Sequence, residues 1–280
     1  MDLVTANDHS TQPPQTTEPD GTPTWITRGA NFVIAISKVR AGSRLEIKTV
    51  PDEHMVLLPD CGVRIEWTED SRHESRVVAG NSLLIVPPGD CTIVAEGDGQ
   101  VVRCFSHHVA ALAALASNAA DYAAPRPKVA PLTPWPAPKD GDRLRHYDLA
   151  AYVRPDQKTR MFRCRNLMIN VLKLRTEPRD IHALSPHSHK DFEQASLSLQ
   201  GVHLHHLRYP WVPDMDQWRD DHHLEIGSPS VIVIPPEVVH TTRNINQGPA
   251  LLVDVFAPPR LDFSLRDGMV CNADEYPLPA

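Results

Sequence analysis

Three histidines and a neighbouring acid or amide stand at spacings that let one metal ion gather them. His187 and His189 are separated by a single residue. In an extended strand alternate side chains share a face, so both imidazoles reach toward the same point. Glu193 and Gln194 follow, and either offers an oxygen ligand. His240 lies beyond Val231 to Ile234, a β-branched run closed by Pro235 and Pro236, a stiff turn that can aim the imidazole back into a barrel. Neutral imidazole with one carboxylate or amide oxygen is a mixed nitrogen and oxygen set that suits Mn, Fe, Ni or Zn. Four protein ligands leave open positions on an octahedral ion, where a carbonyl, enolate or water is polarised. One divalent transition metal per chain is the expectation, with a small-molecule ligand or substrate as its partner.

The two stretches, Pro186 to Gly201 and Gly227 to Asn244, are similar to the signature motifs of the cupin superfamily, G-x5-H-x-H-x3-4-E/Q-x6-G and G-x5-P-x-G-x2-H-x3-N. The resemblance covers most of residues 146–262. Measured back from Gly201, the family's gap of six places the fourth ligand on Gln194, whereas Glu193 leaves a gap of seven. Gln194 is favoured and Glu193 stays open. Pro235, His240 and Asn244 keep the family spacing, while Glu237 stands where the family has glycine. Further on, Asp254, Phe256 and Arg260 resemble the Asp-x-Phe-x-Pro-x-Arg ending of small sugar-processing cupins, including those that linearise unsaturated uronates. By that resemblance Asp254 would shuttle a proton and Arg260 would grip a carboxylate in a fork geometry.

The elements that must position these residues are short and β-rich. Runs such as Phe32 to Ile36, Leu45 to Val50, Met55 to Leu58, Val63 to Trp67 and Leu83 to Val86 recur between turn residues, as in a barrel or sandwich. Residues 109–122, dominated by Ala and Leu, predict a helix. The Pro-rich segment after it reads as an extended linker. Residues 1–23 are polar and rich in Pro and Thr, a composition that predicts a flexible tail. The expected division is a tail over 1–23, a degenerate N-terminal barrel over 24–122, a linker over 123–145 and a metal-binding barrel over 146–280.

The two halves read as copies of one plan. Gly62 matches Gly201, and Leu83 to Gly89 matches Val231 to Glu237. On that alignment Lys48, Val50 and Thr92 stand where the second half has His187, His189 and His240, so the first half has lost its ligands. Only His54 survives, near the fourth-ligand position. Relative to the first half, the second carries an insertion centred on Tyr209 to Leu224, which reads as a surface loop or a lid; its His222 and His223 read as solvated. His203 and His205 share a face opposite the apolar one, lining the cavity or meeting water, and Ser196 and Ser198 share the strand parity of Gln194.

Composition narrows the classes. A chain of 280 residues with formal net charge −7 and pI near 6.1 has no basic stripe for nucleic acid. No apolar run approaches membrane-spanning length and the first residues lack a signal-peptide pattern, so a cytoplasmic location is expected. Five scattered cysteines without a Cys-x-x-Cys pair read as reduced and mostly buried. The fold expected is all-β: tandem double-stranded β-helix (cupin) barrels, with a short helix and Pro-rich linker between them. The function expected is metal-dependent isomerase or lyase chemistry on a small oxygenated acid, sugar-like or keto-acid. An Fe(II) dioxygenase and a non-catalytic small-molecule-binding cupin are the alternatives, and a homodimer is left open.

Overall fold

A computed structural model describes residues 2–279. The chain opens with β1 (Thr5–Asp8), β2 (Thr16–Thr17), β3 (Pro23–Arg28) and β4 (Phe32–Val39). It continues through β5 (Arg44–Val50), β6 (His54–Leu58), β7 (Val63–Glu69), β8 (Arg72–Val78), β9 (Ser82–Val86), β10 (Gly89–Ala95) and β11 (Gly99–Ser106). After the helix α1 (Ala110–Leu115) come β12 (Arg145–Asp148), β13 (Thr159–Arg163), β14 (Met168–Leu172), β15 (Gln194–Gln200) and β16 (His203–Arg208). The last elements are β17 (His222–Ile226), β18 (Ser230–Ile234), β19 (Val239–Asn244), β20 (Leu251–Phe256) and α2 (Leu261–Ser264).

Four sheets make two facing pairs. The first half sets β12-β9-β6-β11-β4-β3-β2 against β5-β10-β7-β8, and the second sets β1-β18-β15-β20-β14-β13 against β17-β16-β19. Alternation assigns each strand's residues to two different cores. On β6, Val56 and Leu58 face the inside of the first pair with Trp67, Ile65 and Ile93. Met55 and Leu57 face outward and meet Leu197, Val233, Val253 and Val255 of the second half in one shared core. Both faces of these strands are buried, which is why they read as continuous apolar runs rather than as alternating ones.

Two segments cross between the halves, and one of them corrects the sequence reading. β1 lies inside the stretch expected to be a flexible tail, yet it pairs antiparallel with β18, Ala6 opposite Ile232. Asn7 is buried and its Nδ2 donates to Thr27 Oγ1 at 2.9 Å. The strand is held by backbone pairing along the edge of β18, whose N–H and C=O groups need partners, and not by apolar side chains. In the opposite direction β12 pairs with β9 of the first half, so the expected boundary between residues 145 and 146 falls within a strand.

The expected helix is shorter than its composition suggests. α1 ends at Leu115 because Ala116 turns to ψ 141° and Ser117 N donates to Ile26 O instead of continuing the ladder. A 3-10 turn, Ala119–Tyr122, follows, and 123–144 carry no regular element. No described helix is long and apolar enough to cross a membrane. All five cysteines are free and four of them are buried.

Candidate metal centre

His187 and His189 sit just before β15 and His240 on β19, tied together by paired backbone bonds: His187 N donates to His240 O and His240 N to His187 O. One ring nitrogen from each of the three histidines falls within a 4.8 Å cluster. His189 and His240 are buried while His187 is exposed, so the cluster is open on one side.

The backbone fixes which nitrogen two of the rings present. His240 Nδ1 lies 3.0 Å from Val238 O, and His187 Nδ1 lies 2.9 Å from Ser185 O. A carbonyl oxygen only accepts, so both Nδ1 atoms carry the proton and both Nε2 atoms present a lone pair. Burial lowers the His240 pKa to about 4 and that of His189 to about 3, keeping both rings neutral near pH 7, the form that ligates. His189 is further held by a stacked contact with Phe192, centroids 4.4 Å apart, and by the edge of Phe256.

Gln194 reaches two of these imidazoles. Its Oε1 lies 2.9 Å from His189 Nε2 and 3.4 Å from His240 Nε2. Because His240 Nε2 bears a lone pair, that second approach sets acceptor against acceptor, an arrangement that a cation between them would relieve. The amide is oriented from behind: Gln194 Nε2 donates to Ser196 Oγ at 2.9 Å and to Asp254 Oδ1 at 3.0 Å, and Ser196 Oγ donates to the same Asp254 oxygen at 2.7 Å. With the NH2 group committed there, the carbonyl oxygen must face the histidines. Three imidazole nitrogens and one amide oxygen fit a divalent transition metal.

Glu193, the other fourth-ligand candidate, faces the opposite way. Its Oε2 accepts from Ala30 N at 2.6 Å and its Oε1 from Tyr122 OH at 2.9 Å. Adjacent strand residues point to opposite faces, so a register that brings Gln194 to the histidines sends Glu193 to the first half. It is 3% exposed, and burial raises its pKa. This carboxylate joins the halves.

Asp254 is opposite Ser196 on β15 and Asn170 on β14. Burial raises its pKa to about 6, against the lowering by the Ser196 hydrogen bond and the nearby His187. A carboxyl tuned there can hold or release a proton near neutral pH. Arg260 lines the same cavity of about 320 Å³ as His187, Gln194, His240 and Asp254. Its fork is engaged, with Nε donating to Asp262 Oδ1 at 2.9 Å, and the guanidinium lies over the Phe263 and Phe192 rings at 3.9 and 4.6 Å.

His203 and His205 turn inward and are buried, and neither lines the 320 Å³ cavity. Burial takes their pKa values to about 4 and 3, and His205 Nδ1 meets Thr242 Oγ1 at 2.9 Å. On β16 the imidazoles therefore share the buried face with Leu207, so the polar face expected opposite the apolar one is itself interior. His223 pairs with His206, ring nitrogens 2.9 Å apart, and neither belongs to the triad cluster. Among the described residues none from 209 to 221 lines the cavity. That insertion is a loop whose Trp211 and Trp218 stack at 4.8 Å.

Some of the site lay outside the reach of sequence. The carbonyls of Ser185 and Val238 carry no side-chain signature. Asn170 and Phe192, by contrast, are visible in principle, through strand pairing with Asp254 and proximity to His189. Glu237, at the family's glycine position, adopts φ +69°, the left-handed region that glycine favours. Its backbone N donates to His189 O at 2.6 Å, so the turn keeps the glycine geometry with a side chain present.

No protein-family model and no curated protein matches the sequence. Solved structures do. The Lactobacillus farciminis oxalate decarboxylase formate complex superposes with TM-score 0.62 at 12% identity, over 91% of this chain and 86% of that one. A mutant of Bacillus subtilis oxalate decarboxylase gives TM-score 0.58 at 11% identity, over 90% of this chain and 76% of that one. The superpositions run through both halves, and the chain has the two-barrel form of the cupin fold, with a histidine triad able to hold a metal ion in the second barrel.

Proposed function

We propose that this protein is a metal-dependent isomerase or lyase acting on a small oxygenated acid, with His187, His189, His240 and Gln194 as the ligands of one metal per chain. The observation that carries the reading is the orientation of Gln194. Asp254 and Ser196 take its NH2 group, and its oxygen is left to the imidazoles of His189 and His240. When bound, a divalent ion there supplies Lewis-acid polarisation of an oxygen on the substrate. The chain's own residues do the remainder. Asp254, raised to about 6, holds or accepts a proton at its carboxylate, and Arg260 places a positive charge on the cavity wall for the acid group. The phenyl rings of Phe192, Phe256 and Phe263 exclude water from that side. The oxalate decarboxylases of like fold act, by their name, on a small oxygenated acid of this class, and this supports the substrate range proposed.

Elemental analysis of the purified protein, followed by aerobic and anaerobic screening against small keto, hydroxy, uronic and dicarboxylic acids, tests the reading. The expected result is one transition metal per chain with turnover independent of oxygen. Turnover that consumes oxygen would overturn it in favour of a dioxygenase. Acid binding without turnover by the metal-loaded protein would overturn it in favour of a binding module. On the substrate found, Asp254→Asn should lower the rate by about 10²–10⁴-fold with metal content unchanged; an unaltered rate removes Asp254 from the chemistry.

A further inference from the structure

A second and larger cavity, of about 610 Å³, lies between the halves and shares no residue with the metal cavity except Thr159. Its floor comes from both: Leu57 from β6, Leu149 ahead of β13, Val171 from β14, Leu199 from β15 and Leu251 from β20. Leu57, Leu149, Val171 and Leu199 are buried, so this is the end of the shared core left open rather than a fold on the surface. The volume is in the range of small-molecule sites, which are concave and mostly apolar with a few polar groups that fix orientation.

Two features give that cavity a chemical preference. Its rim carries Arg154, Lys158, Arg160 and Lys173 against a single carboxylate, Asp60, in a chain whose net charge is −7. Asp60 is already engaged, its Oδ1 accepting from Gln100 N at 2.8 Å, and Arg160 is fixed by donating to Leu149 O at 3.0 Å. Lys158 and Lys173 make no side-chain hydrogen bond or ion pair among the described residues. At the mouth, Val153 and Leu174 are 55% and 47% exposed, an apolar lip that solvent alone does not favour.

We propose that this interdomain cavity binds an amphiphilic anion, an apolar chain of medium length ending in one carboxylate, with the chain on the leucine and valine floor and the carboxylate at Lys158 and Lys173. Apolar burial holds the body, and the surplus of cations selects the sign of the head group. The site is independent of the metal reading, because no proposed metal ligand touches it.

Titration calorimetry of the full chain with decanoate, and with decanol as its neutral counterpart, tests the proposal. Decanoate should bind once per chain and more tightly than decanol. Lys158→Gln with Lys173→Gln should weaken decanoate by roughly tenfold, two exposed charge contacts of modest size, and leave decanol unchanged. Ala150→Trp, at an exposed position on the cavity wall, should abolish binding by filling the mouth, and Leu174→Asp, also exposed, should weaken decanoate through charge repulsion should the first variant not fold. His240→Ala should leave decanoate affinity as it is. Equal affinity for decanol and decanoate, binding that survives both Ala150→Trp and Leu174→Asp, or loss of binding in His240→Ala, which would put the ligand in the metal cavity, would each overturn it.

Discussion

His54 in the first barrel and Gln194 in the second hold the same place in register. His54 stands opposite Val86 across β6 and β9 as Gln194 stands opposite Ile234 across β15 and β18, each partner immediately before a Pro pair. Two residues along, Arg103 stands opposite Val56 as Asp254 stands opposite Ser196. The second barrel thus places a neutral amide and a tunable carboxyl where the first places an imidazole and a fixed cation. Arg103 is buried and pairs with Glu18 at 3.2 Å and Ser37 Oγ at 3.2 Å. His54 stacks on Phe105 with both ring nitrogens unpartnered. A barrel interior can satisfy its polar groups by aiming lone pairs at a common guest, or by filling the same volume with internal pairs and rings. One plan has taken each course, and a buried guanidinium repels a cation of the kind that the histidine triad of the other barrel could hold.

The largest expected effect breaks the comparison outright. Replacing His240 by Ala should weaken metal binding by about 10²-fold or more, since a ligand matters at least as much as the groups that orient it. His54→Ala should leave metal content unaltered. Two metals per chain by elemental analysis would show that the first barrel is not the filled one. Next in size is Arg103→Ala, which strands Glu18 and should cost about 3–5 kcal/mol in urea unfolding. Arg103→Met with Glu18→Gln should cost much less, because it removes both charges together. A loss below about 1 kcal/mol for Arg103→Ala would mean that the pair does not fill the barrel in the sense argued.

A third prediction separates adjacent residues. Glu193→Ala leaves Ala30 N and the Tyr122 hydroxyl without their acceptor and should cost about 1–3 kcal/mol of stability with metal content intact. Gln194→Ala should do the reverse, weakening metal retention at little cost to the fold. Exchanged outcomes would shift the strand register by one residue and withdraw the placement of Ser196 against Asp254.

What sequence made legible here was local and periodic. The spacing of His187 and His189, the Pro pair before His240 and the gap back from Gly201 depend on short-range geometry, and they bring the triad and Gln194 together. The match of the halves at Gly62 and Gly201 placed His54 near the fourth-ligand position for the same reason. Pairings across long separations were not legible. β1 joins β18 over more than two hundred residues, and its polar composition says nothing about a free sheet edge. Glu193 reaches Ala30 across the join of the halves, a destination set by packing of whole sheets. On β16 the rule that polar residues face water failed because His203 and His205 share the buried face with Leu207 while Leu204, His206 and Arg208 take the more open one, so the two imidazoles went inside as neutral rings.

The smallest expected effect uses such a ring to sharpen the comparison. Burial holds His54 near a pKa of about 3, with Arg103 lowering it further, whereas an unfolded histidine titrates near 6.5. Below that value the unfolded chain takes up a proton that the folded ring refuses, so stability present above pH 6.5 is lost as pH falls toward 3. One such group contributes a slope of about 1.4 kcal/mol per pH unit in that window. His205 of the second barrel, also near 3, adds a slope of the same sign, so the parent should lose stability steeply between pH 6 and 4. His54→Leu removes the first barrel's share and keeps an apolar ring partner for Phe105, so its urea midpoint should fall less over that range than the parent's. Parallel curves for the two proteins would mean that His54 is protonated in the folded state, and then the first barrel would hold a polar, hydrated interior instead of one closed by Arg103, Glu18 and a neutral imidazole.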